Sequence, residues 1–133
     1  MTFDEFLGQV QNRARLASTG EALTATRATL TVLSQRLFGG EADELAAQLP
    51  SEIKLYLEQV ELPGDFGLDE FFRRVAEIEE ADLPKAIFHA RAVMSVLLDA
   101  VSAGEVRDVR SQLPDEYAPL FQWERPEQTR EAA

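Results

Sequence analysis

The sequence predicts an all-α fold, two tandem four-helix repeats packed into one helical domain with pseudo-two-fold symmetry, and three observations predict it. Glycine and proline are few and gather at FGGE, LPGDFG and QLP. The long segments between them are rich in Ala, Leu, Glu and Arg, which are good helix formers. Apolar residues recur at spacings of three and four within those segments, the signature of one helix face. Finally, the chain aligns with itself.

The self-alignment is clearest between GGEADELAAQLP, ending at Pro50, and AGEVRDVRSQLP, ending at Pro114. FDEFLGQV from Phe3 matches LDEFFRRV from Leu68 at an offset of 65, and Ala22 to about Leu57 matches Ala86 to Phe121 at an offset of 64. About fifteen positions are identical, too many for chance. One such unit buries too little surface to be stable alone, so two copies are expected to share a core. A single domain is expected over residues 1–123, with repeat one at about 3–59, a linker at 60–67 and repeat two at about 67–121. The polar stretch 124–133 is expected to be a disordered tail.

Each unit divides into four segments. In the first, Thr2 and Glu5 have capping-box spacing, and Phe3, Phe6, Leu7 and Val10 form a stripe repeated by Leu68, Phe71, Phe72 and Val75. The second starts near Ser18, with Glu21 three residues on, and near Asp82, with Pro84 suited to a first helical turn. Its seam Leu23, Thr26, Leu30, Leu33 and Leu37 recurs as Ile87, Ala90, Met94, Leu97 and Val101. Gly40 and Gly104 follow the last periodic residues and are expected to be left-handed helix caps. The third segment places Ala42, Leu45 and Leu49 on one face, matched by Val106, Val109 and Leu113, and stops at proline. The last segments are expected to bury Ile53 and Leu57, and Tyr117 and Phe121.

The chain has 133 residues and carries 24 acidic against 13 basic residues, a formal charge of -11, which disfavours nucleic acid as a ligand. It has no cysteine, so there is no disulfide framework, no thiolate nucleophile and no Cys-based zinc site. MTFDEFLGQV lacks the basic start and apolar run of a signal peptide, and no stretch has the length of a membrane span. A cytoplasmic protein with no membrane association is therefore expected.

Taken together, DEF, ATRATL, GGEADELAAQLP, HARAVMSVL, GE and QLPDEYAPLF resemble the uncharacterised bacterial family known as domain of unknown function 2267. The resemblance spans roughly Phe3 to Phe121. It implies an all-helical domain and no established activity, substrate or cofactor, so no functional residue is carried over from it.

The chemistry must then come from the residues themselves. His89 is the only histidine; no Glu lies three residues before it, and no His-Glu-x-x-His occurs. The doublets Asp4-Glu5, Asp43-Glu44, Asp69-Glu70, Glu79-Glu80 and Asp115-Glu116 hold adjacent residues, which on a helix point about 100° apart and do not converge. No phosphate loop or nucleophile elbow is present. Neither catalytic residues nor a metal or cofactor is expected. Arg27 and Arg91 share one repeat position beside the seam: either each stem covers the core while its guanidinium meets an acid or a carbonyl, or the pair binds an anion in one shared cleft. In EYAPLFQW, Tyr117, Leu120 and Trp123 are candidates for partner binding, since aromatics dominate binding hot spots, or else a lid over the repeat interface. The expectation is a non-catalytic interaction or adaptor module with an unidentified protein partner. The alternative is a small-ligand-binding protein or enzyme with a cleft between the repeats.

Overall fold

A computed structural model describes residues 1–58 and 61–123. It is all-helical in these residues: α1 (Phe3–Arg13), α2 (Thr19–Arg36), α3 (Glu41–Ala46), α4 (Ser51–Glu58), α5 (Leu68–Glu79), α6 (Leu83–Ala100), α7 (Ala103–Ser111) and a 3-10 helix (Asp115–Phe121). No strand occurs among them. The stretch expected to be a disordered tail, 124–133, lies outside the described residues.

The helix starts follow local chemistry. Thr2 and Glu5 form the reciprocal capping box. The side chains of Ser18, Asp82 and Ser102 each accept from the backbone N–H three residues on, satisfying donors that the first turn leaves free. Both glycines expected to cap a helix end need correction. α2 stops at Arg36, and Leu37 leaves it in an extended conformation, so Gly40, at φ 83°, instead opens α3. Gly104 lies inside α7, where Ser102 already supplies the cap. The first half has Gly39 and Gly40, both with positive φ, where the second half has the first turn of α7. α3 is the shorter helix for that reason.

The last segments also differ. Ser51–Glu58 is α-helical, whereas Asp115–Phe121 is a 3-10 helix with Pro119 inside it. Proline has no N–H for an α-helical bond and its ring collides with the carbonyl four residues back, so the tighter helix replaces the expected α-helix.

α2 is the central element, packing against α1, α4, α5 and α6. This is why Ala22, Ala25, Ala28, Val32 and even Thr26 and Thr29 are buried beside the seam leucines. α6 packs against α1, α5 and the 3-10 helix, so each long helix reaches the first helix of the other half. One cluster runs through both halves, from Phe6, Val10, Leu30 and Leu33 to Phe71, Val75, Met94 and Leu97. The linker is tied in as well: the Phe66 carbonyl accepts from Arg36 Nε and from the Tyr117 hydroxyl, both at 2.8 Å. Burial pushes the Tyr117 phenol up to about 12, although Arg36 opposes the shift.

Candidate functional site

Two of the places where polar side chains from both halves gather stand out. The first lies where α3 meets α7. Glu41 and Glu44 are three residues apart on α3, and Glu105 and Asp108 three apart on α7, so each pair shares a helix face. The helix contact turns the two faces together, and one carboxylate oxygen from each of the four lies within 4.8 Å of all the others. Glu41 and Glu105 are 7% and 6% exposed, while Glu44 and Asp108 lie on the solvent side. Oε1 of both Glu41 and Glu105 is buried without a hydrogen-bond partner. Among the described residues none of the four forms an ion pair with a basic side chain.

The electrostatics follow. Burial, reinforced by Glu105 and Asp108, pushes the Glu41 carboxyl up to about 7, and the charge of Glu41 in turn raises that of Glu44. None of the adjacent doublets singled out in the sequence brings both its members to this cluster, whereas these pairs at a spacing of three do. The signal was available: Glu41 matches Glu105, and Glu44 matches Asp108, at the same offset of 64 inside the repeated phrase.

The second place is a cleft of about 730 Å³ lined from the first half by Arg15, Leu16, Ser18 and Thr24, and from the second by Glu79, Lys85 and His89. His89 Nδ1 pairs with Glu79 Oε2, joining the end of α5 to α6. The two side chains are 13% and 7% exposed, and Glu79 Oε1 is buried without a partner. Among the described residues His89 Nε2 has no hydrogen-bond partner. The hydroxyls in the cleft are engaged locally: Ser18 Oγ accepts from the Glu21 N–H and Thr24 donates to the Gly20 carbonyl.

None of the clefts described for residues 1–58 and 61–123 is lined by both repeated arginines. Arg27 is exposed along a groove of about 580 Å³ that it shares with Gln35, Glu70 and Arg74. Arg91 is half-buried and donates to the Gln122 carbonyl at 2.7 Å, and it does not line that groove. These different surroundings favour the reading in which each arginine meets local partners and lend no support to a shared anion site.

The aromatic strip needs correction too. Tyr117 and Leu120 are each 1% exposed and belong to the core, so they form no exposed strip. Trp123 is half-buried, its ring 5.5 Å from that of Phe88 on α6. The 3-10 helix packs on α6 and turns Leu120 inward, which the α-helical spacing assumed for this segment does not anticipate.

A family model described as uncharacterized conserved protein (DUF2267) matches residues 3–120. The chain belongs to this family. A search of the curated proteins found no match. Membership in DUF2267 accounts for nearly the whole folded length and brings no residue roles with it, so the two clusters above carry the functional reading. No helix among the described residues is long and apolar enough to cross a membrane.

Proposed function

We propose that this member of DUF2267 is a non-catalytic binding module that takes a small polar molecule into the cleft around His89, between its two repeats. The observation that carries the reading is the His89–Glu79 pair. A buried carboxylate orients the only imidazole of the chain and leaves its Nε2 for a ligand, in a cleft lined from both halves. Arg15 and Lys85 supply cationic groups and Glu21 and Glu80 anionic ones, so the ligand is polar rather than apolar. Among the described residues no hydrogen bond joins His89 to the Ser18 or Thr24 hydroxyl, which supports binding over covalent catalysis. The burial of Tyr117 and Leu120 counts against a protein-docking strip at that end.

The reading includes pseudo-two-fold symmetry. The contacts of α2 with α5 and of α6 with α1 are the reciprocal pair that such an axis would generate. A thermal-shift screen against small polar metabolites tests the ligand assignment. Compounds that raise the Tm of the parent should lose their effect on His89→Ala. A screen whose hits stabilise both proteins equally would place the ligand elsewhere.

A further inference from the structure

The α3–α7 quartet shares no residue with the His89 cleft, and its chemistry is different. Four carboxylates from two helices face one another with no basic partner among the described residues. Solvent reaches only the Glu44 and Asp108 side, so water does not screen the inner pair as it would an exposed acidic patch. An acidic cluster alone is an ordinary surface feature. What sets this one apart is that the two inner side chains are more than nine-tenths buried, each brings a carboxylate oxygen into the cluster, and each has a buried Oε1 without a hydrogen-bond partner. Buried carboxylate oxygens in native proteins are nearly always satisfied by a donor or a cation. Among the described residues no basic side chain pairs with them.

We propose that Glu41, Glu44, Glu105 and Asp108 form a divalent-cation site, best matched to Ca²⁺, that cross-links the two halves of the protein. The donor set is all oxygen and all carboxylate, which selects hard cations over zinc or copper. At Ca–O distances of about 2.3–2.6 Å, oxygens on opposite sides of the ion are about 4.6–5.2 Å apart, so four oxygens within 4.8 Å of one another can surround it with small adjustments. Mg²⁺, at about 2.0–2.1 Å, demands a tighter octahedron and gives up its water reluctantly. The buried pair forms the floor, the exposed pair the entrance, and water completes the coordination of the larger ion.

The ion would sit beside two existing cross-links. The Gln112 side chain holds both backbone groups of Phe38, just before α3, and the Gln48 side chain holds Ser102, just before α7. A cation at the quartet therefore fastens a junction that is already defined, requiring no new fold.

The test uses the full chain stripped with chelator. CaCl₂, MgCl₂ and NaCl at matched ionic strength are compared by thermal melting and calorimetric titration, with NaCl correcting for general screening of the acidic chain. Expected are a saturable 1:1 heat with Ca²⁺, weaker Mg²⁺ binding and a Tm rise beyond that of NaCl. In Glu41→Gln/Glu105→Gln the affinity should fall at least tenfold, while Glu52→Gln, outside the quartet, should keep it. If the inner double variant does not fold, Glu44→Gln/Asp108→Asn is read in the same way. Absence of saturable binding by either divalent cation, or binding that survives the quartet substitutions, overturns the proposal.

Discussion

Gln48 and Gln112 hold one another's halves. The Gln112 amide accepts from the Phe38 N–H and donates to the Phe38 carbonyl, both at 3.0 Å, and the Gln48 amide accepts from the Ser102 N–H at 2.8 Å and donates to the Ser102 hydroxyl at 3.4 Å. The two glutamines correspond at the offset of 64, and so do Phe38 and Ser102. This explains much of why one twelve-residue phrase is written twice. Its shared Glu and Gln residues build the α3–α7 junction, and its shared Leu and Pro end the segments that carry them.

Removing a clamp should loosen that junction. Gln112→Ala is expected to cost about 1–2 kcal/mol, since it removes two well-formed bonds to backbone. Gln48→Ala should cost less, because one of its two bonds is long. Urea melts of the two variants give the order directly, and equal or negligible losses would show that water replaces both clamps.

The two corresponding glycines should behave oppositely. Gly40 has φ 83°, a conformation that strains any side chain, so Gly40→Ala should destabilise by about 1 kcal/mol. Gly104 is helical, and a Cβ there would meet only ordinary contacts, with Arg107 Nη2 at 3.7 Å. Gly104→Ala should be neutral or stabilise by up to about 1 kcal/mol. Thermal melts of the pair decide it.

Leu120 offers a third check. As a core residue, it should cost about 2–4 kcal/mol on replacement by alanine, whereas a residue of an exposed docking strip would cost under about 0.5 kcal/mol. Chemical denaturation of Leu120→Ala distinguishes the two.

The quartet makes stability depend on pH in the absence of divalent cations. The carboxyl of Glu41 is raised from 4.5 to about 7, so between those values the folded state binds more protons than the unfolded chain. Its contribution therefore becomes less favourable as pH rises from about 4.5 to 7, and the full penalty is present above 7. The groups acting on it are Glu105 and Asp108 from α7 and Glu44 from its own helix. Glu41→Gln should accordingly raise stability by about 1–3 kcal/mol at pH 8, with the advantage fading toward pH 4. Melts across that range in chelator measure it, and a constant difference at all pH values would contradict the assignment.

Local signals made most of the fold legible. The stripes Phe6, Leu7, Val10 and Phe71, Phe72, Val75 are buried as their spacing requires, and Ser18 and Asp82 cap the long helices where short-range chemistry places them. Gly104 misled because a glycine near a helix boundary fits a C-terminal cap and an N-terminal turn equally well, and the deciding residue was Ser102. Leu120 misled because a 3-10 helix turns its side chains through a different angle from the α-helix assumed. The clusters were less legible still. His89 and Glu79 meet only because α5 folds back on α6, and the four carboxylates converge only because α3 packs on α7. Only the recurrence of two acids at a spacing of three, in both copies of the phrase, hinted at the second.

The central claim is that the His89 cleft holds a small polar molecule, and native mass spectrometry tests it most directly. The full-length parent and His89→Ala would be equilibrated with a small-molecule cell extract and measured under conditions that preserve non-covalent complexes. The account predicts a discrete small-molecule adduct on the parent that is absent or strongly depleted on His89→Ala, with both proteins folded by circular dichroism. A parent that retains no adduct, or one equally populated on both proteins, would contradict it.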